Sequence, residues 1–346
     1  MRTKKTTKYL VYFVLIIVLI LLLLWLVYWL INIRGTKHTR TNELFTNNNK
    51  IYFPSNPTTI HLWQGERDQK DLEFMYKPFI LSIKSLLANQ TEQQYEIDVK
   101  IDYYNFDEIR PNDVLIWIGN WKIPNFTDVK QKNIYTIYFN TEPDTVNDMV
   151  SDEVWTYSRY IFDTFEPVLF TDKSKTQVIK YIPIVCEETA SFVPYHTKDD
   201  TMKLVFIGNL SYRQDKTSVL LHDEFMKENV KEVMNLWNDE DYNTFVSGQA
   251  NIYLNLTKSG TNQLPSVRIN KLLSHKCIII SEHTNETDEA FYEGLVIFCK
   301  LEDIENKYKE LKSKSGDTLQ QMADTIYSKF YTLFGGQNAN NLIMTK

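Results

Sequence analysis

The sequence predicts an α/β protein with two domains of mostly parallel sheet, preceded by one N-terminal transmembrane helix. Three observations predict it. Tyr9–Ile33, "YLVYFVLIIVLILLLLWLVYWLINI", contains no charged residue. From Ile51 onward, short runs rich in Ile, Val and Tyr alternate with longer amphipathic runs. That alternation breaks once, at "CEETASFVPYHTKDD" (Cys186–Asp200), and then resumes.

The apolar run comes first. At ~1.5 Å per helical residue it spans a ~30 Å hydrocarbon core with length to spare for tilt. No small-residue cleavage site follows it, and Tyr28 and Trp29 sit where interfacial aromatics belong. Arg2, Lys4, Lys5 and Lys8 precede the span, whereas Arg34, Lys37 and Arg40 follow it. The positive-inside bias is slight and favours a cytosolic N-terminus, hence a type II single-pass protein in a host ER/Golgi or viral membrane. Residues 1–8 are then a cytosolic tail, 9–33 the anchor in the lipid bilayer, and 34–50 a polar stalk, "GTKHTRTNELFTNNNK" from Gly35. The remaining length suits two domains at the prior of ~150 residues each, placed at 51–188 and 189–346.

In the first domain, "TTIHLW" (Thr58–Trp63) reads as a strand and "DLEFMYKPFILSIKSLLANQ" as a helix. "YEIDVKIDYY", "DVLIWIGN" and "NIYTIYFNTE" follow as strand-like runs, and "VWTYSRYIFDTF" and "TQVIKYIPIV" continue the pattern. The second domain opens with "KLVFIGN", continues as one helix through "SVLLHDEFMKE", then "NIYLNLT", a helix in "LPSVRINKLLSHK", the strands "CIIISE" and "GLVIFCK", and two terminal helices. Strands separated by helical runs imply parallel sheets in both halves. Ligands of such sheets bind beyond the carboxyl ends of the strands, so the residues just after each strand are the site candidates.

Composition excludes some functions. The chain carries 38 Lys and Arg against 44 Asp and Glu, a formal net charge of −6. That balance argues against nucleic-acid binding, which needs concentrated positive charge. Cys186, Cys277 and Cys299 lie in apolar contexts and read as buried thiols, without zinc-site spacing. Their lack of a disulfide pattern also fits a cytosol-facing body. Sequons at Asn89, Asn125, Asn209, Asn255 and Asn285 are expected by chance in so Asn-rich a chain.

Several post-strand residues carry possible chemistry. In "FIGNLSYRQDK", Gly208 ends a strand, with Asn209 and Arg213 opening the next helix. A glycine there admits a phosphate to the backbone, and a helix start and an arginine favour its charge; a plain N-capped turn would look the same. Lys258 follows "NIYLNLT" and could hold a diphosphate or simply be solvated. Arg268 and Asn270 begin the helix after that strand and are expected to face an interdomain cleft, because neither is cheaply buried unpaired. Glu282 ends the next strand and points to the same cleft. Asp239-x-Asp241 in "NDED" formally matches a metal-binding D-x-D, yet it also reads as an N-cap followed by first-turn acids, the reading adopted here.

The ordered series "FIGN…R", "IYLNLT", "SVRINKLLSHKCIIISE" and "FYEGLVIFCKLEDI" resembles the donor domain of GT-B glycosyltransferases. It is most similar to the glycosyltransferase-like proteins of bacterial surface-polysaccharide clusters and large DNA viruses. "YTIYFNTEP" and "VWTYSRYI" extend the likeness into the first half, over roughly 101–312. The resemblance implies two Rossmann-like domains facing a cleft, and transfer of a sugar from a nucleotide-sugar donor to a glycan or protein acceptor. It implies donor contacts from Gly208, Asn209, Arg213, Lys258, Arg268, Asn270 and Glu282. With "NDED" read as a cap, no obligatory metal is expected, and no cofactor beyond the co-substrate. The wider class carries a glutamate and then a helix-closing glycine where Asn270 and His275 stand by position. An amide can still bond a ribose hydroxyl, without a carboxylate's charge-assisted strength. The departures keep a second function in view: a non-catalytic, membrane-tethered binding or structural protein.

An inverting transferase needs a base within hydrogen-bond reach of the acceptor hydroxyl. Glu142 after the fourth strand is the leading candidate, with Asp144 beside it; Glu66 and His61 flank the loop after the first strand. Turn formation by "EPD" and packing of His61 are the rival readings. The tryptophans at strand spacing read as core, and Trp121 as a possible acceptor platform.

Overall fold

The computed structural model describes residues 51–346 apart from 52, 54–56, 65–71, 90–94, 101–104, 120–125, 127–128, 130, 142–150, 165–177, 189 and 237. The expected anchor and stalk lie outside the described residues, as do Glu66, Trp121, Glu142 and Asp144. Among the described residues, no helix is long and apolar enough to cross a membrane.

Strands β1 (Thr59–Trp63), β2 (Glu96–Lys100), β3 (Val114–Ile118), β4 (Tyr135–Asn140), β5 (Glu153–Thr156) and β6 (Val178–Tyr181) form a parallel sheet. Both its faces are apolar, as parallel strands covered on both sides require. Ile60, Leu62, Val114, Ile116, Ile118, Ile137 and Phe139 share one cluster with Phe79, Ile83 and Leu86 of α1 (Leu72–Ala88). The alternate residues Trp63, Leu115, Trp117, Tyr138, Val154 and Ile179 belong to a second cluster, continuous with the core of the C-terminal half. Trp63, Trp117 and Trp155 are fully buried, as their strand spacing predicts. Within the sheet, Lys180 Nζ lies 2.9 Å from Glu153, which also accepts from Tyr135 Oη at 2.9 Å and Trp155 Nε1 at 2.8 Å. α2 (Arg159–Thr164) follows β5.

The second sheet holds β7 (Leu204–Ile207), β8 (Val230–Val233), β9 (Ile252–Asn255), β10 (Ile279–Glu282) and β11 (Ile297–Cys299), all parallel. The long helix expected through "SVLLHDEFMKE" is instead two. α3 (Gln214–Leu220) stops, and Asp223 caps α4 (Glu224–Asn229), its Oδ1 accepting from Met226 N at 2.8 Å. The N-cap geometry of aspartate outcompetes continuation of the helix. In α5 (Asp239–Gly248), Asn238 accepts from Asp241 N at 2.8 Å, so "NDED" caps a helix as read from the sequence. Asp239 pairs with Lys77 of α1 and, at 3.1 Å, with Lys271. Lys271 belongs to α6 (Ser266–Ser274), and α7 (Glu286–Phe291), α8 (Ile304–Ser313) and α9 (Gly316–Phe334) complete the helices named here. One crossing has no signal in the sequence: β12 (Met344–Thr345) returns to pair antiparallel with β6 of the first sheet. The three cysteines are free and buried, as expected.

The sheet orders are β12-β6-β5-β4-β3-β1-β2 and β11-β10-β9-β7-β8. In each, the opening strand lies between its second and third strands, so successive crossovers leave in opposite directions. The resulting switch points, β1/β3 and β7/β9, open crevices at the carboxyl edges of the sheets.

Candidate functional site: a cationic crevice at the β7/β9 switch point

β7 leaves the sheet through Gly208, whose φ of +139° is a conformation that side chains rarely adopt. A Cβ there would lie 3.1 Å from the Phe206 ring and 3.6 Å from Arg268 Nη2. Asn209 then caps a short 3-10 turn, its Oδ1 accepting from Ser211 N at 2.7 Å. The N-cap reading of Asn209 is thus realised, while the Gly208 N–H donates to Val233 O at 2.9 Å, so the glycine admits the close approach of the arginine rather than offering a free donor.

Arg213 ends that turn and fastens the crevice. Its Nε donates to Leu256 O after β9 and its Nη1 to Asn209 O after β7, both at 2.9 Å. Burial pulls its pKa down, opposed by the Glu282 charge. One turn along α3, Lys216 donates to Thr257 O at 3.0 Å and to Glu282 Oε1 at 2.7 Å. Glu282 Oε1 also accepts from Thr257 N at 2.6 Å and Thr257 Oγ1 at 3.0 Å. The carboxylate therefore ties the ends of β9 and β10 to α3. Lys258, the next residue along, is exposed.

Arg268 enters from α6. Its guanidinium lies 5.1 Å from the centre of the Phe206 ring, against 4.9 Å for that of Arg213. Among the described residues its one hydrogen bond, from Nη1 to Asn255 Oδ1, is long at 3.5 Å. Its pKa is pushed down to about 10, first by burial and then by the like charge of Arg213. Among the described residues no carboxylate forms a salt bridge with Arg213, Lys258 or Arg268.

The structure thus brings Gly208, Asn209, Arg213, Lys258, Arg268 and Glu282 to one crevice. Two expectations need correction. Asn270 does not face a cleft: it is 1 % exposed, its Nδ2 donates to Ile184 O at 2.6 Å, and its Oδ1 accepts from Tyr292 Oη at 2.7 Å. A single buried amide with both ends satisfied is cheap, so the burial argument that pushed it outward fails. His61 sits in the middle of β1, with Nδ1 2.9 Å from Asp98 and Nε2 3.3 Å from Asp113. Asp113 precedes β3, so the ring is held by two carboxylates away from the strand ends, where a base would work. Burial opposes ionisation of Asp98, yet bonds from His61 and Trp63 and the charge of Lys100 hold it below the usual carboxylate value.

A third departure concerns the end of α6. The left-handed residue is Lys276, at φ 60°, not His275. Lys276 N bonds Leu273 O at 3.0 Å and Cys277 N bonds Leu272 O at 3.1 Å, the paired closure of a Schellman motif. His275 is instead a buried C-cap, its Nδ1 donating to Ser191 O at 2.6 Å.

Sequence reasoning missed Lys216, Thr257 and Phe206. The signal for Lys216 was its i, i+3 spacing from Arg213, which places both on one helix face.

No family model and no curated protein matches this chain. Among solved structures, it is similar to the N-terminal domain of the Candida albicans trehalose-6-phosphate phosphatase, at 9 % identity and a TM-score of 0.45 over 85 % of this chain and 97 % of that one. An alpha1,3-fucosyltransferase aligns at 13 % identity and a TM-score of 0.42, covering 83 % and 84 % of the two chains. The T4 phage BGT in complex with UDP and Mn2+ aligns at 12 % identity and a TM-score of 0.41, covering 82 % and 99 %. Likenesses of this strength leave the reading of the crevice to its own geometry.

Proposed function

We propose that this chain is a membrane-anchored glycosyltransferase of GT-B architecture that uses a nucleotide-sugar donor. The observation that carries the reading is the β7/β9 crevice, where Arg213 and Arg268 both lie over the Phe206 ring, Arg268 beside Gly208, with Lys216 and Lys258 at the adjoining end of β9. Two guanidiniums over one ring, neither paired with a carboxylate among the described residues, suit a diphosphate, which a planar fork can take bidentately. Arg268 and Lys258 would hold the diphosphate, with Arg213 and Lys216 fixing the crevice walls and Glu282 setting their spacing. As the donor bond breaks, charge grows on the leaving diphosphate, and these fixed cations stabilise it without reorganisation. Glu282 Oε1 is already shared by three donors and Glu232 Oε1 accepts from Leu210 N, engagements that support a metal-independent reaction.

Glu142 and Glu66 remain the proposed acceptor bases, since in sequence they follow β4 and β1 closely. The anchor at Tyr9–Ile33 and the type II orientation complete the proposal. A second reading, a non-catalytic tethered binding protein, is favoured by Asn270, which cannot reach a ribose while both ends of its amide are used internally.

The test is a thermal-shift and calorimetric panel of nucleoside diphosphates, followed by turnover with the sugar donors of whichever nucleotide binds. A selective binder should raise stability by ~2.7 kcal/mol at a hundred times its Kd, and Lys258→Ala should weaken it. Binding without donor turnover would support the non-catalytic reading; no binding by any nucleotide would refute the donor crevice.

A further inference from the structure

At the far end of α3, three side chains turn their unused ligand atoms toward one point. His222 Nδ1 lies 2.9 Å from Val219 O, a bond it can make only as the N–H donor, which leaves Nε2 facing outward. Nε2 stands 3.7 Å from Asp223 Oδ2 and 3.5 Å from Glu305 Oε2. Each carboxylate has its other oxygen engaged: Asp223 Oδ1 caps α4, and Glu305 Oε1 takes Lys309. The three ligand groups lie within 4.8 Å of one another.

At 3.5 and 3.7 Å the separations from Nε2 are at or beyond the limit of a hydrogen bond. The two from Nε2, 3.7 and 3.5 Å, lie near the edges of a tetrahedron around a zinc ion, whose nitrogen and oxygen ligands at ~2.0–2.2 Å stand roughly 3.3–3.6 Å apart, and the third is within 4.8 Å. A cavity of about 270 Å³ adjoins the cluster, lined by Val219, Leu220, His222, Leu301, Glu302 and Glu305, with room for water or Glu302 as a further ligand. An imidazole whose other nitrogen donates to a backbone carbonyl is the arrangement that orients metal-bound histidines. One imidazole with carboxylates favours zinc over magnesium or calcium, which prefer all-oxygen sets.

The geometry points to a zinc-type divalent metal site formed by His222 Nε2, Asp223 Oδ2 and Glu305 Oε2. Its role follows from the topology. α3 starts at the donor crevice with Lys216 in its first half, and the metal ties its opposite end to α8. The site is a brace for the crevice-lining helix, outside the proposed chemistry and independent of it.

Chelator-treated full-length protein is titrated with zinc chloride and, separately, magnesium chloride, reading stoichiometry by calorimetry and melting temperature in parallel. Expected are one zinc per chain and a melting temperature that rises with zinc and not with magnesium. Asp223→Asn keeps a good N-cap while removing the charged ligand, so a loss of zinc affinity there cannot be ascribed to unfolding. That variant, His222→Gln and Glu305→Gln should each weaken binding by more than the ~10–100-fold cost of losing an outer-shell partner. In the cobalt-substituted protein, tetrahedral visible bands should vanish with His222→Gln. Zinc binding that is absent, matched by magnesium, or unchanged in all three variants would overturn the site and leave His222 as an ion-pairing residue.

Discussion

Replacing Arg268 by alanine separates a binding arginine from a structural one, because the two roles predict opposite patterns. The guanidinium sits over Phe206 and beside Arg213, with one long bond to Asn255. Its pKa falls from 12.5 to about 10, and at 1.36 kcal/mol per unit the folded protein disfavours the charged group by roughly 1–3 kcal/mol after allowance for partial exposure. Alanine removes that penalty and also removes a cation–π contact of about 0.5–2 kcal/mol. The two nearly cancel. The melting temperature of the ligand-free protein should therefore change by no more than about 2–4 °C, the shift that ~1 kcal/mol produces in a large domain. Diphosphate binding should behave otherwise. A charged hydrogen bond is worth about 1.5–3 kcal/mol, which corresponds to a roughly 10- to 150-fold rise in Kd. Arg268→Lys should recover only part of it, since an ammonium keeps the charge and loses the fork. The assay is titration calorimetry with the best-binding nucleoside diphosphate, beside a thermal melt of the same preparations. Unchanged binding with a melting temperature lowered by more than 4 °C would refute the reasoning and make Arg268 a packing residue.

Burial holds His275 neutral in the fold, its pKa lowered from 6.5 to about 4. Between those values the unfolded chain binds more protons, so stability should rise with pH and be lost as pH falls from 6.5 toward 4, by up to ~3 kcal/mol. His275→Gln should flatten that acid limb in denaturant titrations run across the same window. Glu153→Gln should destabilise the first sheet by about 3–5 kcal/mol, because it leaves Lys180 buried without its counter-charge; urea midpoints measure it, and a loss below 1 kcal/mol would mean water reaches the pair. A chain trimmed to begin at Ile51 should stay in solution without detergent, because Tyr9–Ile33 carries the long apolar run; flotation with liposomes checks this, and membrane association of the trimmed chain would defeat the single-anchor topology.

How much of this was legible in the sequence depended on the range of the interaction involved. Period-two runs of Ile, Val and Trp announced the parallel strands, and the glycine after "KLVFI" announced the crevice, because strand burial and positive φ are local demands. Asn270 was misread because its partners are distant in the chain: Ile184 lies 86 residues earlier and Tyr292 22 residues later. No local rule foresees that a buried amide will find them. The same holds for His61, whose neighbours Asp98 and Asp113 arrive only through strand pairing. β8, with two exposed charges in "VKEV", and the two-residue β12 lack the alternation that marks a strand, and pairing alone creates them. At the end of α6, the lysine in the left-handed position is offset by its ion pair with Asp324 at 2.7 Å and its place 4.3 Å over Phe192, so the expected glycine is not needed.

The placement of charge separates the crevice from ordinary surface. Acids outnumber bases in this chain, and the buried cations Arg159 and Lys180 are matched with carboxylates. At the β7/β9 crevice the matching stops: Glu282 offsets Lys216, and Arg213, Arg268 and Lys258 are left over. Two guanidiniums over the ring of one phenylalanine repel each other and lose hydration, a local cost that their contacts with the ring do no more than offset. Natural sequences break such local rules chiefly where function requires it. An anion bound between Arg213 and Arg268 would reverse both costs at once, returning the Arg268 pKa toward its ordinary value and holding α6 against the end of β7.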